Sequence, residues 1–220
     1  MGHQNRRLYA SHVLGLLKRR YMNAMRTSLN HENPWELLVA TVLSAQAQDR
    51  QVNLVTPALF RRYKSIEQFA SANLRSLYRY TNSIGLYKTK SRNIVNAARM
   101  LRDEFGLQVP RSMESLMKLP GVGRKTANIV LSNAYGINEG IAIDTHCITV
   151  ANRLGFARSK KPEVIEKILI AQYPKKEWQN VSHLFIALGR DACTARKKFC
   201  ERCILKEICP SSTLKAGKGE

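Results

Sequence analysis

Apolar residues along the chain recur with helical spacing and almost never alternate. Residues 8–25 mix Leu, Met, Arg and Lys with no period of two, which predicts an N-terminal helical segment. Asn33-Pro34-Trp35-Glu36 reads as a helix start, with Asn33 as N-cap, Pro34 as first residue and Glu36 closing a capping box. Residues 37–43 are apolar on every side, so the helix they belong to is expected to be central and buried. Ile94, Ala97, Ala98 and Leu101 fall at i, i+3, i+4 and i+7; Ala127, Val130, Leu131 and Ala134 repeat the pattern. Val164, Ile165, Ile168 and Leu169 make a third stripe. There is no run of alternating strand residues, no Gly/Ser- or Pro-rich linker and no fixed-period repeat. The pattern predicts helices nearly throughout and marks no domain boundary by itself.

Composition narrows the function. A chain of 220 residues with 44% hydrophobic and 24% charged residues has enough apolar material for one large domain or two small ones. Lys plus Arg number 36 against 16 Asp plus Glu, a net charge of +20. The excess is spread along the chain, +12 over residues 1–152 and +8 over residues 153–220. Such a balance calls for an anionic partner, and nucleic acid is the expected one. No long segment is both basic and amphipathic, as a membrane-surface helix would be. The apolar stretch 37–43 is too short to span a bilayer, and no apolar core follows the basic N-terminal residues as in a secretory signal. The expectation is a cytoplasmic protein with no membrane partner.

Four of the five cysteines lie near the C-terminus as Cys193-x6-Cys200-x2-Cys203-x5-Cys209. A disulfide framework fits a chain of this size and compartment poorly. Four thiolates can close a tetrahedral zinc site or hold an iron–sulfur cluster. Zinc sites favour two short-spaced pairs, and only Cys200 and Cys203 form one, so the spacing leans toward a cluster wrapped by one loop. Arg196, Lys197, Lys198, Arg202 and Lys206 stand among these cysteines, suited to thiolates or to phosphates. Cys147 stands apart and reads as a core residue.

The segment Leu119-Pro120-Gly121-Val122-Gly123-Arg124-Lys125-Thr126 is the most informative. Pro120 stops one helix, the glycines permit a tight turn, and a new helix starts near Arg124. Open amides at a helix N-terminus suit a phosphate. A P-loop is excluded because Arg124 separates Gly123 from Lys125, and the dinucleotide fingerprint lacks its third glycine. A helix–Gly-x-Gly–helix unit suits the DNA backbone, without base readout. Lys125 lies in the first turn, off the apolar stripe and beside Asn128 and Ser132. The helix dipole and nearby arginines favour its neutral, nucleophilic form; the plainer role is a phosphate-binding lysine. Asp144 follows Ile141-Ala142-Ile143 and reads as the N-cap of a helix running to Arg153, a role compatible with stabilising positive charge in a cleft. His146 and His183 read as structural histidines.

Taken together, LPGVGRKTAN, an Asp 19 residues after the Lys, and C-x6-C-x2-C-x5-C resemble the endonuclease III family of helix-hairpin-helix DNA glycosylase/AP lyases. Leu43-Ser44-Ala45-Gln46 with Asp49, and Ile84-Gly85-Leu86-Tyr87 with Lys90, match as well, so the likeness runs from about Pro34 to Cys209. The resemblance implies an all-α, two-domain fold with DNA bound across the intervening cleft. A six-helix domain with the hairpin would span 27–137; residues 1–26 and 138–220 would form the second domain, with a [4Fe–4S] cluster loop at 193–209. It implies Lys125 and Asp144 as catalytic residues and Cys193, Cys200, Cys203 and Cys209 as cluster ligands. Gln46 and Leu86 would enter the duplex, while Gly121, Val122, Gly123 and Arg124 would grip its backbone. The implied partner is double-stranded DNA carrying damaged bases or abasic sites, met by a monomer and, in a prokaryote, on the nucleoid. The implied reaction is removal of oxidised pyrimidines followed by β-elimination 3′ to the abasic site. The presence of Lys at 125 separates this chain from relatives that work without a Schiff base; the alternative is a mismatch glycosylase for T or U opposite G. Gln48 departs from the Thr that many members carry there and bears on lesion preference.

Overall fold

Local capping chemistry sets where the helices begin. The computed structural model describes residues 3–24 and 27–215; Met25, the end of the expected N-terminal segment, and residues 1–2, 26 and 216–220 of the expected second domain lie outside them. In chain order the α-helices are α1 (His3–Arg20), α2 (Pro34–Ser44), α3 (Asp49–Arg62), α4 (Ile66–Ala70), α5 (Leu74–Thr81) and α6 (Tyr87–Glu104). They continue with α7 (Met113–Lys118), α8 (Arg124–Tyr135), α9 (Thr145–Arg153), α10 (Pro162–Gln172) and α11 (Trp178–Asp191). Among the described residues no strand forms; Cys193 and Lys198 make an isolated antiparallel bridge. No helix there is long and apolar enough to cross a membrane.

The chain divides into two compact units, residues 28–139 and residues 1–27 with 140–220. In the first, α2 is the buried centre, with Trp35 and residues 37–43 all inside. Its cap is as the sequence specifies: Asn33 Oδ1 accepts the Glu36 N–H at 2.9 Å. The Glu36 carboxylate does not close the expected box on Asn33. It accepts the N–H of Glu32 at 2.7 Å, one residue earlier, and so fixes the bend that leads into the helix. Ser65, Asn73 and Ser112 cap α4, α5 and α7 in the same way. Phe69 gathers Trp35 and Tyr63 at ring-centroid distances of 5.3 and 5.2 Å. The stripe on α6 is fully buried, and α4 and α5 pack on that helix.

In the second unit, Ala10, Val13, Leu14 and Leu17 of α1 are buried and α9 packs on α11. The α10 stripe is only partly realised. Ile165 and Leu169 are buried, but Val164 is 37% exposed. The helix instead turns Glu166 inward, where its carboxylate accepts the otherwise costly buried N–H of Ile141 at 3.1 Å.

Candidate functional site

The hairpin between α7 and α8 is built by one strained position and two apolar anchors. Gly121 adopts φ +81°, a left-handed conformation, and a Cβ there would stand 2.9 Å from Asn93 Nδ2 and 3.0 Å from Asn93 Cβ. Gly123 is different. It caps α8 with extended backbone, no side chain satisfies the first turn from the cap, and a Cβ at Gly123 would meet open space. Glycine at 123 is therefore required neither by φ nor by packing within this unit. Leu119 and Val122 turn into the core, and the Val122 N–H is bonded to Leu119 O at 3.1 Å. Val122, expected among the residues that grip DNA, thus serves as the internal anchor of the hairpin. Gly121, Gly123, Arg124 and Lys125 are exposed, with Lys125 the second residue of α8. Asn128, read from the helical wheel as neighbouring Lys125 on the outer face, is buried; α8 packs on both α2 and α7, which covers more of it than its apolar stripe alone.

The same unit presents three exposed non-glycine residues on left-handed backbone, Gln46, Leu86 and Leu107, of which the first two are among the expected DNA-contacting residues. Gln46 has φ +57° and Leu86 φ +59°, both left-handed without being glycine. Leu86 is 64% exposed and serves as N-cap of α6 without a side-chain cap bond. Beneath these loops Lys90 is buried, and its Nζ donates to Leu43 O at 2.8 Å. Burial pulls the Lys90 pKa below the usual lysine value. Gln51 Nε2 donates to Ser83 Oγ at 3.0 Å, joining the same two segments again. Gln48 is the N-cap of α3 and makes no side-chain cap bond.

Asp144 belongs to the other unit. It caps α9, its Oδ1 accepting the Cys147 N–H at 2.8 Å. The approach to it is rigid: Ile141, Ala142 and Ile143 are buried, and Ser182 Oγ donates to Ala142 O at 2.7 Å. Cys147 is fully buried, its Sγ 3.6 Å from Ser182 O, a core cysteine as expected. His146 packs its ring against Gly189 of α11, and half-buried His183 lies on that helix too, so neither departs from a structural role.

Cys193, Cys200, Cys203 and Cys209 line one small cavity together with Arg153, Lys198 and Lys206. Burial pushes the Cys203 and Cys209 thiols up, and the charges of the neighbouring cysteines push the same way. Burial also raises Cys200, but hydrogen bonds with Thr213 and Ser212 and the charge of Lys198 outweigh it and leave that thiol low. Four thiolates here call for a cationic centre. Among the described residues no three His, Cys, Asp or Glu side chains converge closely enough to hold a single metal ion. Four cysteine sulfurs around one cavity, with Arg153, Lys198 and Lys206 beside them, are the kind of donor set an iron–sulfur cluster would use.

Arg153, which the sequence reading used only as a helix end, organises this loop. Its Nη1 donates to Cys193 Sγ at 3.3 Å and Thr194 O at 2.7 Å, and its Nη2 to Ala195 O at 3.1 Å. Of the cations expected around the cysteines, Lys198 and Lys206 line the cavity, while Lys197 and Arg202 lie over the Phe199 ring. Arg202 also donates to Asp191 O, and Arg196 is exposed. Lys125, the hairpin, Gln46 and Leu86 thus share one unit; Asp144 and the four cysteines share the other.

Residues 39–175 match the family described as HhH-GPD superfamily base excision DNA repair protein. The chain is 42% identical over 203 residues to an endonuclease III of Synechocystis, covering 92% of each. It is 43% identical over 192 residues to the endonuclease III of Bacillus subtilis, covering 87% of each. A solved structure of a trapped endonuclease III–DNA covalent intermediate superposes with TM-score 0.89 at 40% identity, over 98% of this chain and 99% of that one. A thermostable thymine-DNA glycosylase has the same fold, with TM-score 0.77 at 21% identity over 95% of this chain and 97% of that one. The chain belongs to the HhH-GPD superfamily of base excision DNA repair proteins, within its endonuclease III family.

Proposed function

We propose that the protein is a bifunctional DNA glycosylase and AP lyase acting on oxidised pyrimidines in double-stranded DNA. The observation that carries this reading is an exposed lysine, Lys125, one residue behind a backbone-binding hairpin and in the first turn of α8. A lysine that served only the α8 fold would not need that place. Extruding the target nucleotide costs a few kcal/mol, least for a lesion that stacks or pairs badly. Gln46 and Leu86 enter the duplex where it leaves, and the backbone of Gly121, Gly123 and Arg124 holds the phosphates.

The neutral Lys125 amine attacks C1′ of the deoxyribose. The bond from C1′ to the base breaks, its electron pair leaves with the base, and the base gains a proton. The amine loses its protons as the sugar opens, giving a Schiff base between C1′ and Nζ. Asp144 stabilises the positive charge that builds on the sugar and assists proton transfer. The Schiff base acidifies C2′; loss of a C2′ proton expels the 3′ phosphate as the C3′–O bond breaks. Water then hydrolyses the imine and restores Lys125.

Cys193, Cys200, Cys203 and Cys209 hold a [4Fe–4S] cluster, with Arg153 and Lys198 offsetting the thiolate charge. When bound, the cluster supplies a folded, positively flanked loop, and the chemistry above needs no electron from it. The protein acts as a monomer in the cytoplasm, on the nucleoid of a prokaryote.

The test is product analysis on duplexes carrying thymine glycol, an abasic site, or T opposite G. Cleavage at thymine glycol leaving an unsaturated 3′ aldehyde, lost in Lys125→Ala, supports the reading. Release of T opposite G without strand cleavage would favour the mismatch alternative.

A further inference from the structure

We propose that Lys90 is a positioning residue that couples the Gln46 and Leu86 loops into a single wedge. This rests on the reading of those two residues as the ones that enter the duplex. Lys90 is only 6% exposed, and a buried ammonium is far costlier than a methionine or leucine of similar size. Its place is explained by what its nitrogen reaches. Leu43 O is one of the last carbonyls of α2, and the backbone that could satisfy it has turned away: the Ala47 N–H bonds Ser44 O instead. Lys90 Nζ donates to Leu43 O at 2.8 Å, at the negative end of the helix dipole. Three residues later the chain passes through the left-handed Gln46.

The backbone of Lys90 binds the other loop. Its N–H donates to the carbonyl of Leu86 at 3.0 Å, closing the first turn of α6 on that left-handed residue. One residue thus holds the take-off of Gln46 by its side chain and the carbonyl of Leu86 by its amide. The surrounding bonds tighten the same link. Ser91 Oγ meets Thr81 Oγ1 at 2.9 Å in the core, clamping the ends of the loop that carries Leu86. Gln51, on the first turn after the Gln46 loop, donates to Ser83 within the Leu86 loop at 3.0 Å. Two strained residues joined through a buried donor are expected to move together or not at all.

A double-mutant cycle tests this on the full-length protein, with Gln46→Ala and Leu86→Ala measured singly and together. The readouts are single-turnover base release from a thymine glycol duplex and fluorescence of 2-aminopurine opposite the lesion. With Lys90 intact, the combined loss should fall short of the product of the single losses by about threefold or more. In Lys90→Met, which keeps the apolar stem and removes the donor, the losses should multiply to within about twofold. Multiplying losses with Lys90 intact, or shortfall unchanged in Lys90→Met, would overturn the proposal. No effect of either single substitution would instead refute the reading of the two loops and take this proposal with it. Should Lys90→Met not fold, amide exchange of the unsubstituted protein decides. Amides of residues 45–48 and 85–88 should share one opening equilibrium; two distinct equilibria would overturn the coupling.

Discussion

Gly189 of α11 lies so close to His146 of α9 that a Cβ built on it would stand 2.8 Å from the His146 Cβ. That contact sets the approach of the two helices two residues from Asp144. Alanine at 189 gains helix propensity of about 1 kcal/mol but overpacks a site walled by a Cβ rather than a flexible tip. Gly189→Ala should lose about 1–2 kcal/mol of stability in urea titrations. It should also lower base release while leaving affinity for undamaged duplex unchanged. Unaltered stability would mean that α9 and α11 can part without cost.

The two hairpin glycines should fail differently. Gly121→Ala must place a side chain at φ +81° and against Asn93, so it should cost about 1–3 kcal/mol of stability. Gly123→Ala meets open space, so its stability should be close to that of the unsubstituted protein while affinity for duplex DNA falls. Binding should also weaken steeply with salt, as expected of a protein carrying +20 and gripping phosphates. A flat salt response, or full affinity in Gly123→Ala, would contradict the backbone-binding role.

Gln48 is an N-cap without a cap bond. Thr at that position has a hydroxyl able to accept an amide of the first turn of α3. Gln48→Thr should therefore raise stability by about 1 kcal/mol, a Tm rise of about 2–4 °C. A change of lesion preference with no gain in Tm would place Gln48 in substrate recognition.

Arg153 binds Cys193 Sγ and two carbonyls of the cysteine loop. Residues that orient metal ligands commonly govern affinity by about 10–100-fold. Arg153→Met should give protein with less iron per chain and faster bleaching of its yellow-brown colour, at unchanged helix content by circular dichroism. Iron content and bleaching equal to those of the unsubstituted protein would remove Arg153 from that role. Stoichiometric zinc in colourless protein would refute the cluster itself.

What the sequence revealed was what is encoded locally. Asn33 caps α2 through a neighbour three residues away, and the α6 stripe is set by period alone. The hairpin was legible for the same reason, and so was Asp144 as a cap. What escaped depends on partners distant in sequence. Glu166 turns inward because of Ile141, 25 residues earlier, and this displaces Val164 from the face that its pattern assigned to it. The Lys90 donor finds its acceptor 47 residues away, and Arg153 reaches Cys193 across 40. The resemblance placed Val122 among the residues that grip the backbone; that its side chain is buried, as is that of Leu119, only the fold shows.

The central claim is that the Lys125 amine forms the bond to the sugar. Borohydride added during turnover of a thymine glycol duplex reduces a Schiff base to a stable amine, and peptide mapping then locates it. The expected result is one covalent protein–DNA adduct, carried on the peptide containing Lys125 and absent from Lys125→Ala. Base release with no adduct, or an adduct on another residue, would contradict the account.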